Sequence, residues 1–216
     1  MGIIWKDLRL SMKKILFLIH DLGHGGAEKV LVNLVNNLDR TKFDISVTAL
    51  FGGGVNEQFL SKEVRLIVCH KKAFPGNSHV MKLFTPKQLY RHYIKDSYDI
   101  IVSYLEGPSA RIVSGSNDPD TKLVSWIHIE QKTKERASGS FRNYKEALSC
   151  YQRFDRTICV SDTVRQDFLG IFPLKKPVDV LYNTNESAKI MKSSLEAVSE
   201  GTFAKNEFKL IGVGKI

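Results

Sequence analysis

Short apolar runs alternate with amphipathic segments along most of this chain. The first run, Lys14–His20, leads to Ala27–Leu38, where apolar residues recur at the spacing of one helix face. Six further apolar runs follow: Asp44–Leu50, Val64–Cys69, Asp99–Leu105, Lys122–His128, Arg156–Val160 and Val178–Leu181. Because strands separated by helices form parallel sheets covered by helices, the pattern predicts an α/β fold.

Helical signals also occur between the later runs. The predicted helices cover about 86–95, 108–113, 143–153 and 163–169. Pro86 suits a first helical turn, where no backbone N–H is needed, and Ser161 with Asp162 precedes the last of these helices as an N-terminal cap. The polar stretch Lys132–Ser140 is predicted to be a flexible loop.

The order of these elements also predicts domain boundaries. Residues 12–186 are predicted to form one Rossmann-like, doubly wound domain with a mostly parallel sheet and helices on both faces. Residues 1–11 are expected to be an extension, and residues 187–206 a polar, helical linker. Residues 207–216 are an apolar run entering a glycine turn, so they are interpreted as the truncated start of a second α/β domain.

Composition and charge narrow the class of protein. Of 216 residues, 43% are hydrophobic and 25% charged, a balance typical of globular proteins, and no apolar run approaches the roughly 18 residues of a membrane span. Lysine and arginine number 32 against 23 acidic residues, a net charge of +9. This excess favours an anionic partner, such as nucleic acid, an anionic leaflet or a phosphorylated ligand, with solubility alone as the alternative.

The cysteines indicate a reducing compartment. Cys69, Cys150 and Cys159 are odd in number and have no metal-binding spacing. Reduced thiols in the core are the interpretation, and a cytoplasmic setting follows from it.

A glycine-rich loop is the first candidate for chemistry. Gly23, His24, Gly25 and Gly26 lie between the first strand and the first helix. A helix N-terminus has unpaired N–H groups, and glycine lets an anion approach the backbone closely, so the loop is a candidate phosphate site. A tight turn without a ligand remains the alternative.

Two common nucleotide motifs do not fit this loop. The third glycine of a dinucleotide fingerprint would fall at Glu28, and the second strand ends at Leu50, Phe51 and Gly52 without an acidic residue. A P-loop would need Gly-Lys followed by serine or threonine, which the sequence lacks. NAD and ATP are therefore disfavoured.

Several segments, in order along the chain, resemble glycosyltransferase family 4. The opening KKILFLIHDLGHGGAEKVLVNLVNNL contains the family's Gly-Gly-Ala-Glu turn as Gly25–Glu28. The other similar segments are SWIHIE (125–130), DRTICVSDTVRQDFL (155–169), VLYNTNES (180–187) and KLIGVGKI (209–216). Relatives usually have glycine where this chain has Thr184.

The resemblance implies a GT-B architecture, in which two Rossmann-like domains face each other across a cleft. In this family the N-terminal domain binds mainly the acceptor and the C-terminal domain binds the nucleotide-sugar. The Glu-x7-Glu motif of the family's C-terminal domain does not occur in this sequence. This chain is therefore expected to be the N-terminal half and inactive alone.

The resemblance also implies catalytic residues. Gly25 and Gly26 would lie under the donor diphosphate, with their N–H groups stabilising the leaving group. His128 matches the histidine that reaches the donor sugar, and its predicted place at the carboxyl end of a strand agrees independently, because ligands of parallel sheets bind there. A histidine without function at the surface remains the alternative.

Four further residues are candidates for substrate binding. Gly23 and His24 flank the predicted anion site, and Glu106 follows the fourth predicted strand, where its carboxylate would meet an acceptor hydroxyl. Ser161 is either a helix cap or a ligand contact. No metal site and no cofactor are predicted, since the nucleotide-sugar is a substrate.

The function implied is a retaining glycosyltransferase for bacterial surface polysaccharides such as capsule. It would transfer a sugar from a nucleotide-sugar to a glycan or lipid-linked acceptor. The basic, partly apolar segment 79–96 is typical of a surface that lies on an anionic membrane, here the inner face of the plasma membrane, although a core-packed helix is equally compatible. No nucleic-acid module is evident.

Two other functions stay open from the sequence. One is a non-catalytic α/β module that binds an anionic small molecule or lipid headgroup. The other is a dinucleotide-dependent enzyme, which the mismatched fingerprint at Glu28 disfavours.

Overall fold

The computed structural model describes residues 12–73 and 76–196. These residues belong to two compact units, which divide between Asn185 and Glu186. The expected extension 1–11 and the expected strand within 207–216 lie outside the described residues.

The first unit contains one seven-stranded sheet. Every neighbouring pair of its described strands is parallel. The strands are β1 (Lys13–Ile19), β2 (Phe43–Phe51), β3 (Arg65–His70), β4 (Ile100–Tyr104), β5 (Lys122–Ile127), β6 (Arg156–Cys159) and β7 (Val178–Val180). Their order across the sheet is β3-β2-β1-β4-β5-β6-β7. The predicted Rossmann-like α/β class is confirmed.

Helices connect these strands. In chain order they are α1 (Gly26–Asn37), α2 (Asn77–Met81), α3 (Pro86–Tyr93), α4 (Pro108–Val113), α5 (Lys134–Ala137), α6 (Tyr144–Arg153), α7 (Asp162–Ile171) and α8 (Ser187–Ser194). The last belongs to the second unit. The structure differs from the sequence interpretation at α5, which lies inside the stretch predicted to be a loop. The Thr133 side chain starts this helix by accepting a hydrogen bond from the Arg136 backbone N–H.

The sheet is covered on both faces, which explains its nearly continuous apolar strands. Successive side chains of a strand point to opposite faces. In β1, Leu16 and Leu18 therefore join the core cluster that also contains residues of α3, α4, α6 and α7. Ile15, Phe17 and Ile19 join the opposite cluster, which contains buried residues of α1. Among the described residues, no helix is long and apolar enough to cross a bilayer.

The strand order creates a crevice near the centre of the sheet. The chain passes from β1 outward to β2 and β3, then returns to place β4 on the other side of β1. Connections leave the carboxyl ends of β1 and β4 in opposite directions, and ligands of open α/β sheets bind at such a switch point.

Candidate functional site

Three predicted site regions lie at one edge of the sheet. The glycine loop follows β1, Glu106 follows β4 after one residue, and His128 directly follows β5. These strands are consecutive neighbours in the order β1-β4-β5. Ser161 lies at the same edge, beyond the end of β6. The topology therefore brings the predicted residues to one side of the molecule.

The start of the glycine loop is fixed by polar contacts. One carboxylate oxygen of Asp21 accepts a 2.8 Å hydrogen bond from the Gly23 N–H, and the other lies 2.7 Å from Nδ1 of His20. Asn56, which is buried, donates its backbone N–H to the Leu22 carbonyl at 2.9 Å and its side-chain amide to the Gly23 carbonyl. Gly23 is thus engaged through both its N–H and its carbonyl.

The end of the loop leaves backbone donors unpaired. Gly25 is the N-terminal cap of α1 and has no side-chain partner there. Within the part of the chain that the structure describes, the N–H groups of Gly25, Gly26 and Ala27 donate no hydrogen bond. A β-carbon at Gly26 would have no atom within 4 Å. The first turn of α1 therefore has backbone donors without a protein partner, as an anion or oxyanion site requires.

Glu28 modifies this anion site. Its carboxylate lies over Gly25, because a β-carbon built at that glycine would be 2.0 Å from Oε2 of Glu28. A negative charge at a helix N-terminus is favourable, and it also competes with a bound anion. Gly26, which is exposed, is therefore the more accessible of the two predicted glycines.

His128 lies among aromatic rings. Its ring centroid is 4.5 Å from that of Tyr104 and 6.3 Å from that of Trp126, with which it is stacked. Burial lowers the pKa of His128 to about 4. The imidazole is therefore neutral at pH 7 and acts there as a hydrogen-bonding group, not as a cation.

His128, Tyr104 and Trp126 share an unusual feature. His128 Nε2, the Tyr104 hydroxyl and Trp126 Nε1 are buried and have no hydrogen-bond partner among the described residues. Burial, with a smaller effect from the charge of Glu28, raises the pKa of Tyr104, so the hydroxyl stays protonated. Unpaired buried polar atoms are costly in proteins, and a catalytic role is one of the explanations for them.

Glu106 organises the segment that follows β5. Its carboxylate accepts hydrogen bonds from the backbone N–H groups of His128 (3.3 Å) and Ile129 (3.0 Å) and from the Gln131 side chain (3.1 Å). Burial raises the pKa of this carboxyl. The oxygens predicted to meet an acceptor hydroxyl thus already hold the backbone at His128. A direct contact between Glu106 and substrate stays a prediction.

The backbone around Glu106 is strained. Leu105 has φ +95°, a conformation that residues with a side chain rarely adopt, and Gly107 has φ +80°. Such outliers persist where the surroundings impose them, often at functional sites. Here they turn the chain sharply after β4, which brings the Glu106 carboxylate to the start of the next loop.

The remaining predicted residues have simpler surroundings. The hydroxyl of Ser161 accepts a 3.2 Å hydrogen bond from the Val164 N–H and caps α7, one of the two roles that the sequence indicated. His24, within the glycine loop, is exposed. Within residues 12–73 and 76–196, no group of three or more His, Cys, Asp or Glu side chains is arranged to hold a metal ion.

Sequence reasoning missed Asn56, Tyr104 and Trp126. The first supports the glycine loop from 33 residues away, a contact that no local pattern encodes. Tyr104 and Trp126 had a usable signal, because each is at or next to the carboxyl end of a strand that borders the predicted site. A polar aromatic residue at such a position is a reasonable candidate for a site wall.

Two solved structures share this fold. HepE from Anabaena, in complex with UDP and glucose, has a TM-score of 0.54 and 18% identity, covering 84% of this chain and 50% of HepE. The N-terminal domain of Candida albicans trehalose-6-phosphate phosphatase has a TM-score of 0.59 and 10% identity, covering 88% of this chain and 52% of that one. The chain thus spans about half the length of these structures. At such identities the likeness shows the fold alone.

Among proteins of curated function, none matches the sequence. The family profile described as Glycosyltransferase Family 4, in contrast, matches residues 24–184, which include Gly25, Gly26, Glu106, His128 and Ser161. This match spans most of the chain and confirms the resemblance seen in its separate segments. The chain therefore belongs to glycosyltransferase family 4.

Proposed function

We propose that this chain is the N-terminal domain of a retaining glycosyltransferase that transfers a sugar from a nucleotide-sugar to a glycan or lipid-linked acceptor. The observation that carries the proposal is that unpaired N–H groups of α1, which follows β1, and the imidazole of His128, which follows β5, lie at the same edge of the sheet with β4 between them. Membership of family 4 supports glycosyl transfer, and the UDP and glucose bound to HepE, which has a similar fold, support a nucleotide-sugar donor.

We assign to the glycine loop the stabilisation of the negative charge on the leaving group. As the glycosidic bond to the donor breaks, charge develops on the departing diphosphate. Fixed N–H donors at the start of α1, chiefly that of Gly26, stabilise this charge without reorganisation, because Asp21 and Asn56 already hold the preceding loop.

We assign to His128 the contact with the donor sugar. Because burial keeps the imidazole neutral, it contributes one hydrogen bond to a sugar hydroxyl and no charge. The rings of Tyr104 and Trp126 restrict the orientation of the imidazole.

The retaining stereochemistry is taken from the resemblance to family 4, and the groups that are free to take a proton are compatible with it. Glu106, whose carboxylate accepts a hydrogen bond from the His128 N–H, already accepts three hydrogen bonds. In a retaining, front-face reaction the leaving phosphate itself takes the acceptor proton, so a protein base is not needed. The competing arrangement is the His20–Asp21 pair, 2.7 Å apart, acting as a general base in an inverting reaction.

The domain layout completes the proposal. Residues 12–186 would bind the acceptor, 187–206 would link the domains, and 207–216 would begin the domain that binds the nucleotide-sugar. The product would be a bacterial surface polysaccharide, assembled on the cytoplasmic face of the plasma membrane. The net charge of +9 supports contact with anionic substrates and lipids.

Turnover of the full-length enzyme tests this function. We expect it to consume a UDP- or GDP-sugar and to give a product whose anomeric configuration, read by NMR, matches that of the donor. Residues 1–216 alone should give no turnover. An inverted product would contradict the retaining reaction and implicate His20 and Asp21, whereas donor binding without transfer would favour a non-catalytic module.

A further inference from the structure

The segment that begins with His128 is anchored by carboxylates from two other parts of the fold. This segment, residues 128–132 and here called the β5 loop, directly follows β5. At its start, the Glu106 carboxylate accepts the backbone N–H groups of His128 and Ile129. Because Glu106 follows β4, this contact joins the ends of two neighbouring strands.

Asp167 of α7 holds the other end of the β5 loop. Its Oδ2 accepts the backbone N–H of Gln131 at 2.6 Å, and its Oδ1 accepts that of Lys132 at 3.0 Å. Hydrogen bonds to a charged acceptor are stronger than those between neutral groups. Asp167 lies 35 residues beyond Lys132 in the chain, so this contact ties α7 to the loop through tertiary structure.

The helix α7 is a firm support for Asp167. Val164 and Phe168, which lie on either side of it in the helix, are both buried, and Phe168 is completely so. The helix packs against β6 and β7, and the Ser161 side chain caps its start. A displacement of Asp167 relative to the sheet would therefore require α7 to leave the core.

Gln131 connects the two anchors. Its side-chain amide donates hydrogen bonds to Glu106 at 3.1 Å and to the Ile129 carbonyl at 3.2 Å, while its backbone N–H donates to Asp167. Only 6% of Gln131 is exposed. The two carboxylates and Gln131 thus form one hydrogen-bonded unit around the β5 loop.

Strained backbone occurs at both ends of this unit. Within residues 12–73 and 76–196, the non-glycine residues with positive φ are Leu105, at +95°, and Lys132, at +65°. Leu105 directly precedes Glu106, and Lys132 donates to Asp167. Residues with a side chain adopt such conformations where their surroundings impose them, and these positions cluster at functional sites. The strain therefore indicates that the geometry of the β5 loop is fixed by its tertiary contacts.

The imidazole of His128 depends on this backbone for its position. Its Nε2 is buried and has no hydrogen-bond partner among the described residues. The ring packs against Tyr104 and Trp126, whereas the hydrogen bond of His128 is made by its backbone N–H. Because no polar contact holds Nε2 in place, its location follows from ring packing and from the position of the β5 loop.

We propose that Asp167 is a positioning residue for sugar transfer. Together with Glu106 it fixes the β5 loop, and through this loop it places the His128 imidazole against the donor sugar. The inference rests on the proposed function and adds to it a residue of α7 that acts without touching the substrate. Precise placement matters because a displacement of about 1 Å at a reacting centre can cost about 100-fold in rate.

Steady-state kinetics of the full-length enzyme test this role. We expect Asp167→Ala, while folded, to lower the turnover number by about 10-fold or more and to change the donor KM by less than about 3-fold, because the loss falls mainly on the transition state. Asp167→Asn keeps one oxygen acceptor for the loop and should recover part of the turnover.

Asp155→Ala is the matched control. The Asp155 carboxylate also accepts a backbone N–H from β5, that of Leu123 at 2.9 Å, but at the amino end of the strand, away from the proposed site. This variant loses the same kind of contact and should retain wild-type turnover. An equal loss of turnover in Asp155→Ala and Asp167→Ala would reduce the effect to general destabilisation and overturn the proposal.

The same substitution in a His128→Ala background shows whether Asp167 acts through the imidazole. Residues that act as one unit have non-additive effects, so Asp167→Ala should cause no further loss of turnover once the imidazole is absent. An equal loss in both backgrounds would contradict the proposal, because Asp167 would then act independently of His128.

The wild-type enzyme separates this inference from the proposed function. Sugar transfer that folded Asp167→Ala performs at the wild-type rate would refute the positioning role alone. Absence of transfer by the wild-type enzyme would refute the proposed function and, with it, the role of Asp167.

Discussion

Replacing Gly54 with alanine is expected to lower the free energy of unfolding by about 2 to 3 kcal/mol and to displace the glycine loop. A β-carbon at this position would lie 2.2 Å from both the carbonyl carbon and the carbonyl oxygen of Leu22 and 2.8 Å from the Gly23 nitrogen. These are backbone atoms of a segment in which Leu22 is completely buried, so no side-chain rotation relieves the overlap.

Thermal unfolding measures this effect. The midpoint temperature of the Gly54→Ala variant should fall by roughly 4 to 12 °C. Gly26→Ala is the matched control, because a β-carbon there has no neighbour within 4 Å and alanine is the better helix former. Equal stability of the two variants would mean that the loop does not pack against the turn after β2 as described.

Acidification is expected to destabilise the wild-type protein through His128. The folded protein binds a proton at this residue only near pH 4, whereas an unperturbed histidine binds it near pH 6.5. Between these values the unfolded chain holds more protons, so the free energy of unfolding falls as the pH is lowered from 6.5 to 4. The loss attributable to His128 is about 3 kcal/mol, and it is fully recovered above pH 6.5.

Urea unfolding at a series of pH values tests the linkage. The wild-type protein should lose stability more steeply between pH 6.5 and 4 than a His128→Asn variant, whereas His79→Asn, which changes an exposed histidine, should follow the wild type. The comparison uses slopes because His128→Asn also changes packing against Tyr104. Parallel curves for wild type and His128→Asn would show that the imidazole is not buried.

The fold was largely predictable because a parallel sheet covered on both faces leaves continuous apolar runs. β4 and β5 were located to within one residue at each end for this reason. The short helix α5 was missed because four residues cannot show a helical period, and α2, with five, has the same difficulty. The N-terminal cap at Thr133 was the one local sequence signal for α5.

The sequence could predict the parts of the candidate site whose place depends on the strand that precedes them. The place of His128 and of the glycine loop at one edge of the sheet was predicted because the carboxyl ends of parallel strands share an edge, whereas their roles were implied by the resemblance to family 4. The contacts that hold these residues in place were not predictable from the sequence. Asn56 and Gly54 contact the loop across more than 30 residues, and Glu106 holds the backbone at His128 through the turn that Leu105 makes at positive φ.

The proposed function depends above all on a contact between the donor sugar and His128, at the carboxyl end of β5, next to the loop of Gly25 and Gly26. The most direct test is the turnover number of full-length His128→Ala with saturating nucleotide-sugar, with His79→Ala as the control and circular dichroism to confirm folding. We expect the folded His128→Ala variant to lose at least about 100-fold in turnover and the control to retain its activity. Wild-type turnover by folded His128→Ala would contradict it.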